Sequence, residues 1–121
     1  MPTDSPIINL ESLGRLKEWG VPKLVNEMIR LFLQNGPSRM DQIRSVVESD
    51  DLDQPERGAH SLKSSAANIG AEHVRQIADE IEIAASNAEA ERVRELLPGL
   101  EEAFGEVIAE LEKWFKDLLN E

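Results

Sequence analysis

Residues 53–71 read Asp53-Gln54-Pro55-Glu56-Arg57-Gly58-Ala59-His60-Ser61-Leu62-Lys63-Ser64-Ser65-Ala66-Ala67-Asn68-Ile69-Gly70-Ala71. Ala59, Leu62, Ala66 and Ile69 recur at intervals of three and four, the spacing of one face of an α-helix. Pro55 stands in the first turn, where a missing N–H costs nothing. Gly70 is a natural stop, because glycine readily takes the left-handed conformation that ends helices. The segment predicts a helix from about Asp53 to Ile69 with its small and branched residues turned inward.

The same periodicity extends in both directions. Upstream, Leu24, Met28, Leu31 and Phe32 line one face of a helix that begins near Pro22. Gly36-Pro37 interrupts the pattern, and Ile43, Val46 and Val47 resume it at about the same phase. This predicts one kinked helix over 22–49, broken by Ser49-Asp50-Asp51. Downstream, Val74, Ile77, Ala78, Ile81, Ala84 and Ala85 mark a helix over about 71–86. Val93, Leu97, Leu100, Phe104, Val107, Ile108, Leu111, Phe115 and Leu118 mark another over about 88–119. That stripe keeps its phase across Pro98-Gly99, so a kink is expected there and not a domain boundary. Residues 1–8, with two prolines, read as a flexible lead-in. Asn9 can cap a short helix through Leu10, Leu13 and Leu16, with Trp19 nearby and Gly20 as its stop. Four long amphipathic helices with short connections predict an all-α fold, an antiparallel up-and-down four-helix bundle. An additional short N-terminal helix would cover one end, and residues 9–121 would form a single domain.

Composition narrows the function. The 121 residues suffice for one core, and a formal charge of -11 argues against non-specific binding to nucleic acid or to an anionic membrane. There is no cysteine, which excludes disulfides and thiolate metal sites. No apolar run approaches membrane-spanning length, and Met1 to Asn9 lacks the basic and apolar regions of a signal peptide, so a cytoplasmic location is expected. A kinase would need a glycine-rich phosphate loop, and none is present. A kinase dimerisation helix typically carries an acidic residue directly after its histidine and a proline a few residues on, where this chain has Ser61 and Ser65. Two separated histidines, His60 and His73, offer no metal-ligand cluster.

On the helix over 53–69, His60 falls one position off the buried stripe. Lys63 and Ser64, three and four residues on, share its face, and Ala67 follows a turn later. This face carries an imidazole, an ammonium, a hydroxyl and small side chains. A neutral exposed imidazole is a nucleophile at physiological pH. Once phosphorylated it bears a dianionic group that calls for a cation and hydrogen-bond donors. Lys63 supplies the charge and Ser64 a hydroxyl, and a charge-assisted contact is worth roughly 1.5–3 kcal/mol before solvent screening. His73 lacks such a context and reads as a solvated helix residue. Ser65 reads as a small packing residue, and Trp19, Trp114 and Phe115 as bundle packing. A bundle that binds a partner without carrying phosphate is the alternative reading.

The motif resembles the histidine-containing phosphotransfer (HPt) family: Ala59-His60, then Leu62 and Lys63, the small residues Ser64 to Ala67, and Gly70-Ala71 after the helix. Leu31-Phe32-Leu33, Pro37, the Ile43 to Val47 stripe and Ile81-Glu82 extend the likeness. Ser64 departs from the pattern, since the family commonly has glycine there. The resemblance implies that His60 accepts the phosphoryl group and that Lys63 stabilises it. It also brings Glu82 near the ring, where its carboxylate can accept a hydrogen bond from Nδ1 and leave Nε2 to react. It implies a monomeric carrier with no cofactor of its own. Its partners would be receiver domains of a hybrid sensor kinase and of a response regulator, with Mg²⁺ on the receiver. The partner would dock beside His60 on Arg57, Ser64, Ala67 and Asn68.

Overall fold

A computed structural model of the chain describes residues 22–119. The lead-in, the short helix expected from Asn9 and the side chains of Trp19, Phe115 and Leu118 lie outside the described residues. Among the described residues four helices follow one another: α1 Pro22–Arg44, α2 Asp53–Ile69, α3 Glu72–Ser86 and α4 Ala90–Leu119. A short 3-10 turn, Ser45–Val47, extends α1. Each helix packs on the next, and α4 also meets α1, the arrangement of an up-and-down bundle. Pro37 and Pro98 both lie inside helices.

Helix α2 is the central element of the site, flanked by α1 and α3. Its inward residues Ala59, Leu62, Ala66 and Ile69 are buried, as their spacing predicts. Gly58 is buried too, and a Cβ there would lie 2.8 Å from the Arg39 carbonyl oxygen and 2.8 Å from Gln42 Cβ. The absent side chain is what lets α1 and α2 approach so closely. At the other end Gly70 takes φ 72°, and its N–H donates to the Ala67 carbonyl while that of Ala71 donates to Ala66. These two bonds form a Schellman cap, and the chain reverses into α3 within two residues.

Helix α1 departs from the sequence expectation. Its buried stripe is Val25, Ile29, Phe32, Met40 and Ile43, whereas Leu24 and Leu31 are 53% and 45% exposed. Two apolar stripes run along this helix, offset by one residue. The stripe from Val25 continues in phase through Gly36 to Met40 and Ile43. At Gly36 the Phe104 ring of α4 occupies the space where a Cβ would sit. The other stripe has no such continuation and is left outside, with Met28 only partly buried. The α-helix also ends at Arg44, short of residue 49, and Val47 is exposed beside buried Val46. Arg94 of α4 accounts for this end: its Nε donates to the Val46 carbonyl over 2.8 Å and its guanidinium also pairs with Asp50. An external donor thus meets a carbonyl at the end of the helix, and the connection to α2 begins there.

Candidate functional site

The short α2–α3 reversal sets these helices in antiparallel register. His60 on α2 consequently faces Glu82 on α3, and one turn nearer the connection Lys63 faces Asp79. His60 Nδ1 lies 2.7 Å from Glu82 Oε2. The other carboxylate oxygen, Oε1, is 2.6 Å from Lys63 Nζ, which also reaches Asp79 Oδ1 at 3.3 Å. Four side chains from two helices thus form one chain of contacts, from Asp79 through Lys63 and Glu82 to the imidazole.

The members differ in exposure. The His60 side chain is 63% exposed, while Glu82 is only 22% exposed. Burial of Glu82 favours its neutral form, but hydrogen bonds from Lys63 and His60, with their charges, outweigh this and hold the carboxyl below its ordinary value. Lys63 is pushed above the ordinary lysine value by its hydrogen bond to Glu82 and then by that to Asp79. Glu82 is therefore an anion near neutral pH, and an anion facing Nδ1 favours the tautomer protonated there. The lone pair of the neutral ring is then on Nε2.

Beside the ring, α1 contributes to an open cleft of about 540 Å³ in which Arg39, Gln42, Arg57 and Ser61 neighbour His60 and Glu82. Arg57, Ser64, Ala67 and Asn68 are all exposed. Among the described residues the Ser64 hydroxyl makes no hydrogen bond. Asn68 and Ser65 border a smaller hollow that includes Met28 and Leu31 of α1. His73 is exposed on α3, away from the cluster.

The structure thus brings His60, Lys63 and Glu82 into contact. It adds Asp79 and Arg39, which sequence reasoning missed, and it turns Leu31, expected in the buried stripe, outward beside α2. Asp79 lies three residues before Glu82 on the same helix face, so the spacing carried a signal for it. For Arg39 and Leu31 no signal was available, because their place beside α2 depends on how α1 is rotated. Among the described residues no group of three or more histidine, cysteine or acidic side chains is arranged to hold a metal ion. None of the described helices is long and apolar enough to cross a membrane.

Comparison with known proteins agrees with this architecture. The family model described as Hpt domain matches residues 27–118. The crystal structure of histidine-containing phosphotransfer protein B (HptB) from Pseudomonas aeruginosa PAO1 superposes with a TM-score of 0.83 at 20% sequence identity, covering 94% of this chain and 98% of that one. No curated protein matches the chain. The chain belongs to the Hpt domain family, the phosphocarriers of phosphorelays, which are not kinases.

Proposed function

We propose that His60 is the phosphoacceptor and that the chain carries the phosphoryl group from one receiver-domain aspartate to another. The observation that supports this is the 2.7 Å contact between Glu82 and Nδ1 of a largely exposed ring. Attack on a phosphoaspartate needs no base. The Nε2 lone pair forms the N–P bond, and the P–O bonding electrons return to the aspartate carboxylate. The Nδ1 proton stays on the ring, where Glu82 offsets the positive charge that the ring gains. The reverse sequence passes the group on. Lys63 holds the dianionic phosphoryl group once it is formed, and Ser64 adds a hydroxyl donor.

The partners in this reading are receiver domains of a hybrid sensor kinase and of a response regulator. They bring the Mg²⁺, and this chain needs no cofactor. It acts as a monomer in the cytoplasm, and the receivers dock on Arg57, Ser64, Ala67 and Asn68. Incubation with a phosphorylated receiver tests the assignment. The wild type should gain an acid-labile label, and His60→Gln should gain none while its unfolding free energy stays within about 0.5 kcal/mol of wild type. A label retained by His60→Gln would overturn the assignment.

A further inference from the structure

We propose that Asp79 is a positioning residue that sets the lifetime of the phosphorylated histidine by holding Lys63 back from the phosphoryl group. The inference rests on the assignment of His60 as phosphoacceptor and concerns how that site is tuned.

The Lys63 ammonium has three N–H donors. It lies 2.6 Å from Glu82 Oε1 and 3.3 Å from Asp79 Oδ1, so one cation is paired with two carboxylates, and the hydrogen bond it donates to Asp79 is one that Glu82 does not share. Glu82 has a second task at Nδ1 of the ring, 2.7 Å away. Asp79 touches no part of His60, and its contact in the cluster is with Lys63. It draws the ammonium along α3, toward the α2–α3 connection. The phosphoryl group forms on Nε2, the ring nitrogen turned away from Glu82. Lys63 must therefore turn toward that side to serve it, and a second carboxylate makes the turn costlier. Asp79 thus competes with the phosphoryl group for one cation. The consequence is a phosphohistidine less stable than Lys63 alone would make it, and hence readier to hand its group on. In a carrier that both accepts and donates, too firm a grip would stop the relay at this protein.

Asp79→Asn removes the competing charge on a side chain that is 41% exposed. Label the full chain on His60 with phosphoramidate, remove the reagent, and follow the acid-labile label with time. The lifetime in Asp79→Asn should rise roughly two- to fivefold, the range that an exposed ion pair is worth. The equilibrium with a receiver should shift toward phosphohistidine by the same factor. Asp79→Glu, which keeps the charge and can still reach Lys63, should restore the wild-type lifetime. In a Lys63→Ala background, Asp79→Asn should change nothing, because the effect passes through the ammonium. A lifetime unchanged by Asp79→Asn, or a change that persists without Lys63, would overturn the proposal. A label that sits on His60 while either of these holds leaves the phosphoacceptor assignment intact. A label on another residue overturns the assignment and the proposal together.

Discussion

Glu82 accepts a hydrogen bond from Nδ1 of His60 across the α2–α3 interface, at 2.7 Å and twenty-two residues further along the chain. The contact joins an exposed ring to a mostly shielded carboxylate, so that the anion is held where solvent screens it less. It assigns the two ring nitrogens different tasks.

Removing that carboxylate should therefore act on chemistry before it acts on the fold. Glu82→Ala should slow labelling of His60 by phosphoramidate about tenfold, corresponding to roughly 1.4 kcal/mol. Nitrogen NMR of the neutral ring should show a population more evenly divided between the two tautomers. Glu82→Gln keeps an acceptor without the charge and should fall between. Labelling at the wild-type rate in Glu82→Ala would mean the contact has no part in reactivity.

The face around the ring is small, and its size should matter to a protein partner and not to a small phosphodonor. Ser64 and Ala67 are exposed on the side of α2 that carries His60. Ser64→Gln or Ala67→Arg should block transfer from a phosphorylated receiver while phosphoramidate still labels His60. A net charge of -11 makes long-range attraction to an acidic receiver pocket weak, so docking relies on short-range fit over under roughly 1,200 Å². Normal receiver transfer to both variants would place the partner on another side.

Two glycines should respond to alanine in opposite ways. At Gly58 the added Cβ would lie 2.8 Å from the Arg39 carbonyl oxygen and 3.2 Å from Ile43 Cγ1, so α1 and α2 must separate. Overpacking of this kind costs about 1–3 kcal/mol, more than the roughly 1 kcal/mol alanine gains in helix propensity. At Gly105, within α4, no described residue lies within 4 Å of the added Cβ. Gly105→Ala should raise the urea midpoint and Gly58→Ala should lower it. Because α2 positions His60, Gly58→Ala should also slow phosphotransfer, whereas Gly105→Ala should not.

Acid should weaken the fold through its paired carboxylates. Arg44 donates from Nε and Nη2 to the two oxygens of Glu101, each at 2.6 Å, tying α1 to α4. These hydrogen bonds hold the Glu101 carboxyl below its ordinary value, against the opposing effect of burial. A lowered folded-state value means the contribution is fully present above the ordinary carboxylate pKa, about 4.3. It is lost as pH falls through the lower folded value. Glu82 has the same sign. Glu101→Gln should cost up to about 1 kcal/mol at pH 7, and the difference from wild type should shrink at pH 3 in urea titrations. A constant difference across that range would assign the loss to packing and not to charge.

Sequence periodicity located α2 and α3 closely. Their apolar stripes are unambiguous, and Gly70 marks the reversal between them with its left-handed cap. His60 was legible as an exposed ring because it sits one residue off a stripe of four buried positions. Lys63 was legible as its neighbour by helical spacing alone. Helix α1 was harder, because Leu24 and Leu31 have the same periodicity as Val25, Ile29 and Phe32. Hydrophobicity cannot choose between two stripes one residue apart.

What the sequence determined by itself is local: which segments are helical, where they stop, and which side of α2 carries the imidazole. Those follow from spacing within one element, where every contact is three or four residues away. Packing between helices settled which face of α1 turns inward, that Arg94 meets the Val46 carbonyl at the end of that helix, and that Asp79 reaches Lys63. Each of these depends on a partner far along the chain, and helix-to-helix rotation and register fix it through packing that no single periodicity encodes.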